Sequence, residues 1–177
     1  MVKKKEEHNG RVLIHSLPQE EAVLRSKAKE FEFTELSLME IRDLVVHMRS
    51  VMRKARGVGL SANQIGLPYR LFVAEVPDGH GSTKFYAIFN PKLEKLEDKE
   101  LMDEGCLSVP GVYGQVERYE KLILKGQDAK GKPVKIKAWG LLAQVFQHEL
   151  GHLNGELFID KAKQLYEVVA QESARKK

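Results

Sequence analysis

Residues 145–155 read VFQHELGHLNG and contain the pattern His-Glu-x-x-His. On a helix, His148 and His152 are four residues apart, so both imidazole rings project from one face and can bind one metal ion. Glu149 lies beside them, where a carboxylate can take a proton from a water molecule. The stretch therefore predicts a helix that carries a metal site. The pattern is typical of zinc peptidases, but it leaves the ion short of a third protein ligand.

The apolar residues around this motif predict two helices that enclose a core. Residues 141–155 are apolar over much of the helix circumference, as expected of a helix surrounded by the rest of a domain. An earlier helix is predicted over 37–57, where apolar residues recur every three or four positions. Ser37 and Glu40 match a capping box at its start, and Gly57 follows a basic last turn.

Strand-like runs separate these two helices. QDAKGK has the composition of a hairpin turn between the last two runs. A third, more polar helix is predicted over 162–174. Helices and strands that are grouped in this way predict the α+β class. The four predicted strands are 70–76, 84–90, 120–126 and 133–139.

Composition predicts one globular domain over 1–177, with flexible ends at 1–10 and 175–177. The chain has 42% hydrophobic and 31% charged residues. No apolar run reaches the roughly 20 residues that cross a bilayer, so no membrane segment is expected. The first residues lack the apolar stretch of a secretory signal, so a cytoplasmic protein is expected; an organelle protein with a trimmed leader fits equally. The single cysteine, Cys106, fits a reducing compartment.

The net charge of +4 is mild and predicts no specific nucleic-acid site. Basic residues cluster at both ends, at 3–5 and 175–177. Long-range attraction could hold such ends near a polyanion such as the ribosome, with contact through the basic C-terminal helix.

Two residues are candidates for the third metal ligand. Glu172, on the predicted terminal helix, would complete the site of a peptidase. Cys106, in DEGCLSVPG, offers a thiolate, which binds Zn or Fe(II) well. Either ligand would leave one coordination position open, as in a catalytic site.

The loop GVGLSANQIG, residues 57–66, is predicted to approach a ligand. It matches a variant of the dinucleotide fingerprint, but it follows a helix where the fingerprint needs a preceding strand, so we reject a nucleotide site. Gly57 and Gly59 remove side-chain bulk from the backbone. Gln64 offers an amide that can donate to a carbonyl oxygen.

Three motifs, GVGLSANQ, EGCLS and QHELGH, resemble in order and spacing those of the peptide deformylase family: G-x-G-L-A-A-x-Q, E-G-C-L-S and Q-H-E-x-D-H. The resemblance implies an α+β fold in which antiparallel β-sheets surround a central helix that carries the His-Glu-x-x-His motif. It also implies a hydrolase that removes the formyl group from N-formylmethionine on nascent chains and releases formate.

The resemblance also implies the roles of the site residues. Glu149 is expected to take a proton from the attacking water and return it to the departing amine. The Leu107 N–H and the Gln64 side chain are expected to stabilise the oxyanion. One divalent ion is implied, commonly Fe(II), with Zn(II), Ni(II) and Co(II) also suited, and its ligands are Cys106, His148 and His152.

The substrate pocket is expected beside the metal, because Leu141, Val145 and His148 fall on one helix face. Val58, Leu141 and Val145 are expected to line the pocket for the methionine side chain. The Gly59 backbone is expected to pair with the substrate peptide.

Two residues depart from the family motifs. Ser61 replaces the usual first Ala, a small residue for a small one. Gly151 replaces an Asp that pairs with an arginine at the position of Arg118. We expect either a less rigid metal-binding helix or a substitute partner for Arg118.

Two readings compete with a deformylase. One is a zinc peptidase that uses Glu172. The other is a non-catalytic binding module with the same fold, which the intact Glu149 and Gln64 disfavour, because a pure binder needs neither.

Overall fold

The computed structural model describes residues 10–167 as helices packed on a largely antiparallel sheet, and it confirms the α+β class. The three α-helices are α1 (Pro18–Leu24), α2 (Leu38–Lys54) and α3 (Gly140–Leu153). The six strands are β1 (Gly59–Ser61), β2 (Leu71–Pro77), β3 (Thr83–Cys106), β4 (Val109–Gln127), β5 (Pro133–Trp139) and β6 (Ala162–Glu167). Short 3₁₀ helices lie at Ala62–Ile65 and Phe158–Asp160.

The strands form one hydrogen-bonded network in the order β1-β2-β3-β4-β5, and β6 pairs with β4 beside β5. All of these pairs are antiparallel. The long β3–β4 pair changes register at three places. Irregularities of this kind bend a strand and increase its twist. A single bent sheet can therefore cover more than one side of α3.

β3 and β4 are much longer than the strands predicted at 84–90 and 120–126. Residues 94–101 of β3 are exposed on both faces, so they lack the alternation that reveals a half-buried strand. By contrast, β5 has the bounds predicted from its alternating pattern, and the Asp128–Lys132 turn closes its hairpin with β4.

The third helix predicted over 162–174 is wrong for residues 162–167, which form β6; residues 168–174 lie outside the described residues. β6 pairs with Val112–Val116 of β4. β5 pairs only with the later part of β4, from Lys121 onward, so the earlier part has an open edge. Backbone groups at such an edge need partners, and this requirement outweighs the local helix preference of the segment.

Helix α2 begins where predicted but ends at Lys54, three residues before the predicted end at Gly57, and it buries most of the predicted apolar stripe. The chain leaves the helix at Arg56, which has a φ of 59°, and the Gly57 N–H donates to the Met52 carbonyl. The Ser37 hydroxyl accepts a hydrogen bond from the Glu40 N–H at 3.3 Å, and the Glu40 carboxylate accepts from the Ser37 N–H at 2.9 Å. This is the capping box expected from the sequence. The buried residues of α2 pack with β1 and β2 and are Ile41, Leu44, Met48, Val51 and Met52. The short helix α1 was not predicted.

Helix α3 packs against the sheet and contacts β1, β2, β4 and β5. Phe146 is fully buried and lies against the rings of Phe72 and Tyr86. The Gln147 side chain accepts a hydrogen bond from the Tyr119 N–H at 2.9 Å and donates to the Tyr119 carbonyl at 2.8 Å. The Gln147 amide thus satisfies the Tyr119 backbone groups of β4 that a neighbouring strand would otherwise pair with. These contacts fix the rotation of α3 and the direction of its two histidines.

None of the helices within residues 10–167 is both long and apolar enough to cross a membrane. The ends predicted to be flexible lie outside the described residues, apart from Gly10. The single domain over 1–177 stays a prediction.

The cap of α2 gives a test of this local account. We expect Ser37→Ala to lower the free energy of unfolding by about 1 kcal/mol, because the Glu40 N–H loses its acceptor. Urea unfolding followed by circular dichroism measures the change. Ser50→Ala, at an exposed position inside the same helix, is the matched control and should leave stability unchanged or slightly higher. Equal losses in both variants would contradict the capping role.

Candidate metal centre and active site

Three segments that are distant in sequence meet at one cleft of about 570 Å³. They are the loop around β1, the end of β3 with the turn after it, and one face of α3. Among the predicted site residues, His152 lies behind the cleft wall and is 1% exposed. The others line the cleft: Val58, Gly59, Gln64, Cys106, Leu107, Leu141, Val145, His148 and Glu149.

The Cys106 thiol and the two histidines converge on one point. The Nε2 atom of His152 lies 3.2 Å from Cys106 Sγ and 3.2 Å from Nε2 of His148. Among the described residues, these three are the group of potential metal ligands whose donor atoms all lie within 4.8 Å of one another. Glu172, the ligand of the alternative reading, lies outside the described residues.

The spacing of these donors fits a single metal ion. Nitrogen and sulfur ligands at ordinary bond lengths from a tetrahedral Zn ion are separated by about 3.3–3.6 Å. The observed separations are within a few tenths of an ångström of these values. His152 is also buried, and Cys106 and His148 are partly buried at the cleft, where unpaired polar groups are costly. The donor set of one thiolate and two imidazoles suits Fe(II), Zn(II), Co(II) and Ni(II).

Glu104 fixes the orientation of the His148 ring. Its Oε2 lies 3.0 Å from Nδ1 of His148. A proton on Nδ1, directed at the carboxylate, leaves Nε2 with a free lone pair that faces Cys106 and His152. Arg118 holds the same carboxylate through two bonds, Nε to Oε1 at 2.7 Å and Nη2 to Oε2 at 2.8 Å. Both partners are buried.

Charge in the cluster favours a thiolate. Burial would raise the pKa of the Cys106 thiol, but His152 and His148 outweigh this effect and hold the pKa well below its usual value. Burial would likewise lower the pKa of His148, but its contacts with Cys106 and Glu104 raise it well above the usual value. For Glu104, burial opposes ionisation, while Arg118 and His148 lower its pKa to about 2. Without a metal, these shifts favour a charged Cys106 thiolate beside a protonated His148. A metal cation can take the place of that proton.

Asn63 supports the second histidine. Its Nδ2 donates to the His152 carbonyl oxygen at 2.5 Å, and the Asn63 side chain is buried. Nδ1 of His152 and Oδ1 of Asn63 are both buried without a hydrogen-bond partner among residues 10–167. The contact links the 3₁₀ helix after β1 to the end of α3 that carries His152.

The Glu149 carboxylate is buried between α3 and β1. Oε2 accepts a hydrogen bond from the Ser61 hydroxyl at 2.7 Å. Oε1 lies against Gly59, at 2.3 Å from the place where a Cβ would stand. Burial raises the pKa of the Glu149 carboxyl, which suits a group that accepts and then releases a proton.

Gln64 is fixed by hydrogen bonds at both ends of its amide. Oε1 accepts from the Ser61 N–H at 2.9 Å, and Nε2 donates to the Ser108 hydroxyl at 3.0 Å, with Cys106 Sγ 3.8 Å away. The amide NH₂ therefore points to the cysteine end of the cleft. Leu107 begins the two-residue turn between β3 and β4, and its side chain packs against Gly57.

The cleft walls combine apolar and polar residues. Val58 and Leu141 are roughly half exposed, whereas Val145 is buried at the base. Tyr113 also lines the cleft, and its ring stacks on Tyr166 of β6 at 6.1 Å between centroids. Strand β6 thus contributes indirectly to the cleft wall.

Arg118 has a carboxylate partner although position 151 carries none. The carboxylate that the family motif would place at position 151 is absent, and Glu104 binds Arg118 through both of its oxygens. The side chain nearest to Gly151 belongs to Glu156, 3.8 Å from a built Cβ. The loss of the usual Asp therefore leaves no unpaired arginine at this site.

Glu104 and Ser108 contact site residues but were not among the predicted site residues. A signal for Glu104 was available, because it precedes Cys106 by two residues and strand side chains two apart share a face. No sequence pattern indicated the contact of Ser108 with Gln64, since it depends on how the turn places the hydroxyl.

Comparison with known proteins identifies the family of the chain. The family model described as polypeptide deformylase matches residues 13–168. A peptide deformylase from Halothermothrix orenii is 45% identical over 146 residues, which are 82% of this chain and 90% of that protein. One from Pelotomaculum thermopropionicum is 39% identical over 150 residues, 85% of this chain and 92% of that protein.

Solved structures show the same fold. The crystal structure of a peptide deformylase from Thermotoga maritima is 32% identical with a TM-score of 0.76, covering 87% of this chain and 97% of that one. The crystal structure of one from Legionella pneumophila is 40% identical with a TM-score of 0.73, and the match covers 85% of this chain and 83% of that one. The chain belongs to the polypeptide deformylase family, and it is a hydrolase that removes the N-formyl group from newly synthesised polypeptides.

Proposed function

We propose that Cys106, His148 and His152 hold one divalent metal ion, and that Glu149 transfers the proton in the hydrolysis of N-terminal formylmethionine. The observation that supports this most strongly is the convergence of the three donor atoms beside a buried carboxylate of the same helix. Cys106, His148 and Glu149 line one open cleft, and His152 lies behind its wall.

The metal ion would supply Lewis-acid activation of water and of the formyl carbonyl. We propose Fe(II) as the physiological ion, with Zn(II), Ni(II) or Co(II) able to replace it, because one thiolate and two imidazoles suit all four. The ion also needs a charged thiolate, and the lowered pKa of the Cys106 thiol provides one.

Glu149 is the group that moves the proton. Ionised, it accepts a proton from the attacking water; protonated, it donates that proton to the departing amine. Oε2 is held by Ser61, so Oε1, which lies against Gly59 in the cleft lining, is the oxygen available to substrate. The carboxylate can serve both steps without leaving its position.

Gln64 and Leu107 are proposed to stabilise the oxyanion. Such donors are most effective when they are held in place before reaction. The Gln64 amide meets this condition, because Ser61 and Ser108 fix both of its ends. Leu107 directly follows the proposed cysteine ligand in the chain and lines the same cleft, so its N–H is the second proposed donor.

The substrate pocket is proposed to lie between the β1 loop and α3. Val58, Leu141 and Val145 offer apolar walls for the methionine side chain, as an unbranched thioether requires. The Gly59 backbone runs along the same cleft and can pair with the peptide. We therefore propose N-formylmethionyl nascent chains as partners and the cytoplasm as the location, with an organelle form as the alternative; the single cysteine suits a reducing compartment.

Contact with the ribosome through the basic C-terminal end stays a prediction. The basic residues at 175–177 lie outside the described residues, and 162–167 belong to the sheet instead of a helix. A test should therefore remove only residues 168–177 and compare co-sedimentation with ribosomes.

The ligand set separates this proposal from a zinc peptidase. We expect Cys106→Ala to reduce bound metal well below one ion per chain and to abolish formate release, because the site keeps only two ligands. Glu172→Ala is the matched control and should retain both. Elemental analysis after dialysis, with a formate assay on a formyl-Met peptide, measures the outcome. Metal loss in the Glu172 variant alone would overturn the assignment.

Gly59 gives a second test, because a Cβ there would overlap the Glu149 carboxylate. We expect Gly59→Ala to lower kcat by roughly a hundredfold, the scale of a displaced general base, while the bound metal is retained. Gly151→Ala is the control, since its Cβ has ordinary contacts with Glu156. Steady-state kinetics measures the change, and an undiminished kcat for Gly59→Ala would contradict the role of Glu149 as the proton carrier.

A further inference from the structure

We propose that Ser61 is a positioning residue that fixes both side chains of the proton-transfer and oxyanion machinery. Its hydroxyl holds the Glu149 carboxylate, and its N–H holds the Gln64 amide. The proposal rests on the proposed roles of these two residues and assigns a task to the serine that departs from the family motif.

The contacts of Ser61 are short and shielded from solvent. The residue is fully buried, and its Oγ lies 2.7 Å from Oε2 of Glu149 and 2.9 Å from the Glu149 carbonyl oxygen. A hydroxyl carries one hydrogen, so it donates to one acceptor at a time. The charged carboxylate is the stronger acceptor while Glu149 is ionised.

This hydrogen bond makes the two carboxylate oxygens different. Oε2 is engaged by Ser61, whereas Oε1 lies beside Gly59 in the cleft lining. Alanine at position 61 would leave Oε2 buried without this donor. The carboxylate could then rotate, and a smaller fraction of molecules would present Oε1 to the substrate at any moment.

Ser61 also connects β1, which lies against Glu149, to the 3₁₀ helix that carries Gln64. It ends β1 and precedes the 3₁₀ helix that carries Gln64, and its N–H donates to Gln64 Oε1 at 2.9 Å. Alanine would keep this backbone bond. Substitution therefore separates the hydroxyl's effect on Glu149 from the backbone's effect on Gln64.

The kinetic test is Ser61→Ala in the metal-loaded enzyme. We expect kcat to fall about five- to tenfold, the scale of one hydrogen bond, with KM unchanged and metal content retained. Ser61→Thr restores the hydroxyl and should recover kcat if the extra methyl is accommodated. Ser26→Ala removes an exposed hydroxyl that donates to a helix carbonyl and should leave kcat unchanged. An unchanged kcat for Ser61→Ala would overturn the positioning role.

A double-mutant cycle tests the contact without using activity. Glu149→Asp shortens the side chain by one methylene and withdraws the carboxylate from Ser61. In the metal-free protein, we expect Ser61→Ala to lower the melting temperature less in the Glu149→Asp background than in wild type. Equal decreases in both backgrounds would show that the hydroxyl serves only the Glu149 carbonyl oxygen, and would overturn the proposal.

The two measurements also separate this inference from the proposed function. A wild-type protein that binds metal but releases no formate would refute the proposed function, while the melting-temperature cycle would still decide the Ser61–Glu149 contact. Normal formate release together with an additive cycle would refute only the inference.

Discussion

The Glu104 carboxylate provides the interaction on which the rest of the site depends. It binds Arg118 through both oxygens and His148 through one, with all three side chains largely removed from solvent. A buried carboxylate is stable only when it is paired, and loss of one partner leaves an uncompensated charge. Glu104 therefore ties the face of α3 that carries His148 to the β3–β4 hairpin that carries Cys106. The absence of the usual Asp at position 151 is tolerable because this pair is intact.

The second constraint is the narrow space beside Glu149. A side chain at position 59 would occupy the volume of the carboxylate, and the hydroxyl at position 61 meets its other oxygen. The β1 loop thus confines the Glu149 carboxylate, the proposed general base, and also lines the cleft. Gly57 and Gly59 leave room for the Leu107 side chain and the Glu149 carboxylate, which is a physical reason for the G-x-G spacing.

The elements that the sequence predicted correctly are those with a strong local signal. The cap and apolar stripe of α2, the alternation of β5 and the apolar motif helix α3 are local features. Residues 94–101 escaped prediction because both faces of that strand are exposed, and 162–167 were assigned to a helix because only a distant strand edge makes them β6. In the site, the motifs indicated the three proposed ligand residues, while the contacts of Glu104 and Ser61 require knowledge of which segments meet.

The account's central claim is that this site hydrolyses a terminal formamide instead of an internal peptide bond. Anaerobically purified, Fe(II)-loaded protein can be incubated with a formyl-Met peptide and with its N-acetylated counterpart, and the products followed by mass spectrometry and a formate assay. We predict formate and unblocked peptide in equal amounts from the first, and no fragments from either. Internal fragments without formate, or no turnover with metal bound, would contradict the account.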